Sequence, residues 1–189
     1  ILMTKQIMVG GVPVGGGAPV TIQSMCNTKT DDVAATVAQI HALEAAGCEI
    51  IRVAIPDEAA ALSVDRIREQ IDIPLVVDIH FNYRYALMCA ERGADAIRIN
   101  PGNIGGEDHV KAVADACRRR GIPIRIGVNG GSLEKELRAK YGGVTAEALV
   151  ESAMGHVRLL NQFDFDDICI SVKCSDVPLT MAAYQLLHQ

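Results

Sequence analysis

Arg52, Arg98, Arg125 and Lys173 stand in four short apolar segments, EIIRVA, DAIRIN, PIRIGVN and DICISVK. In extended chain, residues two apart share a face. Arg98 therefore lies beside Asn100, Arg125 beside Asn129 with Gly127 between them, and Lys173 beside Ser171. The same spacing pairs Asp78 with His80 in PLVVDIH, and Gln23 in VTIQSM represents a further segment. The residues in between (Ile79, Ile97, Ile99, Ile124, Ile126, Ile170 and Val172) turn to the opposite face.

Any one of these charges can be a structural ion pair or part of a solvated sheet face. Together they cannot balance, because two like charges 4 Å apart repel by about 4 kcal/mol at an effective dielectric of ~20. Four cations against one Asp call for an anion. Arginine forks grip phosphate oxygens two at a time and lysine adds a mobile point charge, so the set suits a diphosphate. Asn100, Asn129 and Ser171 are neutral donors around it. The loop PGNIGG at 101–106 either presents backbone N–H groups at Gly102 and Gly105 or is a plain turn. His80 fits a proton donor with Asp78 as orienter or counter-charge, and equally a satisfied interior histidine. Lys173 fits a Schiff base if it is desolvated among cations. His41, His109, His156 and His188 read as helix-surface residues without metal-ligand spacing.

The elements that must hold these residues alternate regularly. Strands are expected at 20–25, 49–54, 74–80, 95–100, 123–129 and 167–173, each followed by a segment with helical apolar spacing. One helix is expected over 31–46, with stops at Gly47, Gly93 and Gly121; others open at Thr145 and at Asp176 with Pro178 in the first turn. Strict strand–helix alternation implies parallel strands joined right-handedly. Polar residues recurring at one end of nearly every strand favour an α/β TIM (β/α)8-type barrel over an open sheet, here with about six of its eight units. GGVPVGGGAP at 10–19 lacks the Lys-Ser/Thr of a phosphate loop and is expected to form a short hairpin on the barrel floor.

Composition agrees. The chain has 189 residues, 49% of them apolar and 4% aromatic with no Trp, which bounds it to one domain with an aliphatic core. A net charge of -5 and scattered cations, apart from Arg118, Arg119 and Arg120 at a helix end, argue against nucleic acid. No apolar run of membrane-spanning length and no signal-peptide pattern is present, so a membrane partner is not expected and the setting expected is the bacterial cytoplasm, or a plastid in a plant or alga. Six cysteines without a CxxC pair do not suggest a disulfide framework. Ile1 in place of Met, and Gln189 expected in mid-helix, read as the ends of a piece of a longer protein.

The segments IQSMCNT, VVDIHFNYR, IRINPGNIG, IRIGVNGGSLEKEL, KYGG and ISVKCSDVPLT, from about Lys5 to the end, resemble those of the 4-hydroxy-3-methylbut-2-enyl diphosphate synthase family. That resemblance implies an N-terminal TIM barrel for 2-C-methyl-D-erythritol 2,4-cyclodiphosphate in non-mevalonate isoprenoid synthesis, and a two-electron reductive ring opening with loss of water. Its diphosphate would fall to Arg52, Arg98, Arg125 and Lys173, with Asp78, His80, Asn100, Asn129 and Ser171 around them. The resemblance further implies a 4Fe-4S cluster held by three Cys and a Glu of a C-terminal domain outside this chain, so that none of the cysteines here is a ligand and residues 1–189 alone are inactive. A donor such as flavodoxin or ferredoxin and a homodimer complete the picture. Cys26 and Cys174 depart from the Thr and Ala usual in the family, either harmlessly or with an effect on redox behaviour. The other readings are a Schiff-base aldolase using Lys173 and a non-catalytic phospholigand-binding module.

Overall fold

The isoleucines that alternate with the polar residues build the main core. In the computed structural model, which describes residues 4–189 and so leaves Ile1 outside the described residues, Ile51, Val53, Ile79, Ile97, Ile99, Ile124 and Ile126 are buried between the sheet and its helices. Each such side chain contributes about 1.5–3 kcal/mol on burial. The largest fully buried side chains are all Ile or Leu, as the low aromatic content requires.

The strands are β3 (Gln23–Met25), β4 (Ile50–Ile55), β5 (Leu75–Ile79), β6 (Ala96–Ile99), β7 (Ile124–Asn129) and β8 (Ile168–Lys173), parallel and in sequence order across one curled sheet. The intervening helices are α1 (Val33–Ala45), α2 (Glu58–Leu62), α3 (Val64–Arg68), α4 (Tyr83–Glu91), α5 (Glu107–Arg120), α6 (Lys135–Tyr141), α7 (Ala146–Gln162) and α8 (Val177–Leu187). α1, α7 and α8 start on side-chain caps: Asp32, Thr145 and Asp176 accept from the backbone N–H of Ala35, Ala148 and Leu179 at 3.1, 3.1 and 2.9 Å. Each cap is worth about 1 kcal/mol. Gly121, at φ 65°, closes α5 in the left-handed conformation that a side chain would resist.

The hairpin of β1 (Ile7–Val9) and β2 (Val12–Val14) plugs the floor. Ile7 and Val9 pack on Ile50, Val76 and Ala96, the inward residues near the start of their strands. A cavity of about 40 Å³ remains there, lined in part by Gln23, Arg125 and Cys169.

Two expectations change. β3 begins at Gln23 and not at residue 20: Val20 and Ile22 are exposed, and the Ile22 N–H donates to Glu49 Oε2 at 2.7 Å instead of extending the side of the ladder. Between β7 and α7 lie a 3-10 turn (Gly130–Ser132) and α6, which the alternation alone did not separate.

Candidate functional site

Register places the polar residues in tiers. Asp78 lies opposite Arg98, Arg98 opposite Arg125, and Arg125 opposite Cys169. One tier higher Gly127 is opposite Ser171, and above that Asn129 is opposite Lys173. Arg52 lies one tier lower, opposite Met25 on one side and Val76 on the other.

Asp78 is the hub. Its side chain is 4% exposed; Oδ1 accepts from Arg98 Nη1 at 3.0 Å, while Arg52 Nη2 and His80 Nε2 each lie 3.7 Å from Oδ2. One carboxylate thus serves two guanidinium groups and an imidazole. Burial lowers the proton affinity of Arg52; Asp78 offsets part of this, and Arg98 and Arg125 add to it, so the surroundings disfavour further positive charge.

Two more contacts fix the cations. Arg125 Nη1 donates to Gln23 Oε1 at 2.9 Å, crossing the interior from β7 to β3, strands that are not neighbours in the sheet. Arg52 Nε and Nη2 both lie 3.3 Å from Met25 Sδ. The Nε atoms of Arg98 and Arg125 are buried without an acceptor. Such an unmet donor costs about 1–3 kcal/mol, a cost that an anion's oxygens can relieve.

The remaining expected residues take varied positions. Asn100, half-buried, uses Oδ1 to accept from Gly102 N–H at 3.0 Å, so that amide is already spent on a turn within the loop. Gly105, at φ 110°, leaves room for His109, whose ring stacks on Tyr83 at 3.9 Å between centroids. Ser171 and Asn129 are half-buried. Lys173 is exposed at the end of β8, the edge strand of the sheet. His80 is 43% exposed and tilts against Phe81, itself open to solvent at the mouth.

His156 is not a helix-surface residue. It is 12% exposed on α7, with Nε2 3.3 Å from Glu134 Oε1, which also accepts from Ser152 Oγ at 2.9 Å. The signal was there in the sequence, since Ser152 lies between Leu149 and Ala153 on the inward face of the helix. The sequence puts Gln23 on the inward face but names no partner for it, and Met25 carries no signal of its contact with Arg52.

The six cysteines are free thiols. Burial pushes Cys26 up to about 11, with Cys48 adding to it, and pushes Cys89 and Cys117 up to about 12, so these stay protonated at neutral pH. Among the described residues no group of three or more His, Cys, Asp or Glu is placed to hold a metal ion, and the cluster implied by the resemblance does not fit here. No described helix is long and apolar enough to cross a membrane.

The family model of the GcpE TIM-barrel domain matches residues 4–189. A protein of Pseudomonas savastanoi pv. phaseolicola named 4-hydroxy-3-methylbut-2-en-1-yl diphosphate synthase (flavodoxin) is 61% identical over 184 residues, which cover 97% of this chain and 50% of that protein. One of the same name from Ruminiclostridium cellulolyticum is 55% identical over 186 residues, 98% of this chain and 53% of that protein. The chain therefore spans about half the length of these curated relatives. Among solved structures, the dihydropteroate synthase of Vibrio fischeri ES114 superposes with a TM-score of 0.66 at 12% identity, covering 97% of this chain and 72% of that one. That of Yersinia pestis gives 0.64 at 14% identity, over 96% and 68%. These two likenesses concern the fold alone.

Proposed function

The chain belongs to the GcpE TIM-barrel family, and on that footing we propose that it is the substrate-binding barrel of an enzyme that opens 2-C-methyl-D-erythritol 2,4-cyclodiphosphate to (E)-4-hydroxy-3-methylbut-2-enyl diphosphate. The observation that carries this reading is the charge imbalance of the mouth. Arg52 and Arg98 share the single buried carboxylate of Asp78, Arg125 has only the neutral Gln23 as partner, and Arg98 and Arg125 each keep an unmet Nε donor.

In this proposal Asp78 holds Arg98 by its short bond and Arg52 by its longer one, leaving their other donors for phosphate oxygens. Lys173, exposed at the rim, closes on the anion as a mobile charge, with Asn129 and Ser171 as neutral donors beside it. Asn100 orders the loop that follows β6 through its bond to Gly102. His80 stands at the rim with Asp78 behind it, where it can donate a proton to the departing oxygen. The overall change takes up two electrons and two protons and releases one water, and the electrons come from outside this barrel. For the whole protein the proposal adds flavodoxin as donor, the partner in the relatives' name, together with a 4Fe-4S cluster held outside this chain, a homodimer and a cytoplasmic setting.

Calorimetric titration of the cyclic diphosphate into the protein and into Arg98→Ala tests the site. Losing charge-assisted bonds worth about 1.5–3 kcal/mol should weaken binding by roughly tenfold or more. Equal affinity of the two proteins would remove Arg98 from the site.

A further inference from the structure

Gln23 and Met25 are the two inward side chains of β3, and each is bonded to an arginine of the mouth. Both are uncharged acceptors. The one carboxylate nearby, Asp78, reaches Arg98 and Arg52, whereas Arg125 is held by the Gln23 carboxamide. A charge-bearing acceptor at that position would grip Arg125 more firmly, since a carboxylate adds the attraction of a second unit charge and can take the guanidinium two bonds at a time. It would also cancel the charge that an anion needs.

From this we propose that Gln23 is a positioning residue: its carboxamide, reaching across the barrel interior, orients Arg125 for a diphosphate while leaving the arginine's charge unspent. The proposal rests on the reading of the mouth as a diphosphate site. The bond joins residues 102 positions apart, from the first strand of the sheet to the fifth. Both residues help to line the small floor cavity. Arg125 Nε is buried and unpartnered, so Gln23 satisfies one nitrogen of the guanidinium and leaves others for a ligand.

A purely structural tie and a neutral positioning residue predict opposite results for Gln23→Glu. A tie that only holds the curl of the sheet is strengthened by the new ion pair, so folding stability and ligand affinity hold or rise together. A positioning residue whose value is its neutrality gives a split, in which the melting temperature holds or rises while affinity falls.

The probe is inorganic pyrophosphate, titrated calorimetrically into the wild type, Gln23→Glu, Gln23→Leu and Arg98→Ala, with circular dichroism melting of each. The expected result is a loss of roughly tenfold or more for Gln23→Glu without loss of stability. For Gln23→Leu, which keeps the volume but not the acceptor, a loss of about three- to tenfold is expected. Pyrophosphate affinity at the wild-type level in a folded Gln23→Glu overturns the proposal, and if that variant does not fold, wild-type affinity in Gln23→Leu does so. Weak binding by Arg98→Ala beside unchanged Gln23 variants defeats this inference alone, whereas unchanged binding by Arg98→Ala defeats the diphosphate reading beneath it.

Discussion

The guanidinium of Arg98 occupies the space that a side chain on Gly127 would fill: a Cβ there would lie 2.5 Å from Arg98 Cζ, and its three nearest atoms all belong to Arg98. Gly127 is thus the seat that lets the Arg98 guanidinium lie over β7 while its Nη1 bonds Asp78. No unusual backbone angle requires glycine here; the close approach of the arginine does.

Gly127→Ala should therefore displace Arg98 and strain its bond to Asp78. Overpacking of this kind costs about 1–3 kcal/mol, and pyrophosphate affinity should fall toward that of Arg98→Ala. The double variant Gly127→Ala/Arg98→Ala should recover most of the lost stability, because the clash has lost its partner. Thermal melts of the four proteins in this cycle measure it, and strictly additive losses would show that Gly127 matters for some other reason.

Alternation made the inward face readable from the sequence. Once six apolar segments were recognised, Asp78, Arg98 and Arg125 had to point one way and Ile97, Ile99, Ile124 and Ile126 the other. Which partner each cation takes was not readable, because that depends on register and on contacts across the interior: nothing local ties Arg125 to Gln23. The start of β3 is not legible for a similar reason, whereas its end at Met25 is. Ile22 has strand composition, but its N–H finds Glu49 rather than a neighbouring strand. Asn100 was placed on the correct face, yet its side chain competes for local backbone donors as Asn commonly does, and it closes a turn on Gly102.

His156 supplies a pH test. Burial lowers its proton affinity, and the facing Glu134 offsets only part of that effect. Since its pKa in the folded protein lies below the unfolded value of ~6.5, the unfolded chain binds the extra proton first as pH falls. The contribution of a neutral, buried His156 to stability is then complete above about pH 6.5 and declines as pH drops from there toward the folded value. Melting temperatures of the wild type and His156→Gln between pH 7.5 and 5 should draw together as pH falls, since glutamine keeps a polar contact to Glu134 but does not titrate. Parallel curves for the two proteins would show that His156 is not the titrating group.

Ile7 tests the floor plug. It is 3% exposed and packs, with Val9, on Ile50, Val76 and Ala96, at the opposite end of the strands from His80 and Asn100. Truncating a fully buried Ile to Ala costs about 2–5 kcal/mol, more where the surroundings cannot collapse. The cavity already present beside Ile7 argues against easy collapse, so Ile7→Ala is expected in the upper part of that range by urea denaturation. Pyrophosphate affinity, measured where the variant is still folded, should change by less than about twofold, because among the described residues no mouth residue hydrogen-bonds to the hairpin. A cost within about 0.5 kcal/mol, as for a surface substitution, would mean that the hairpin lies on the barrel without sealing it.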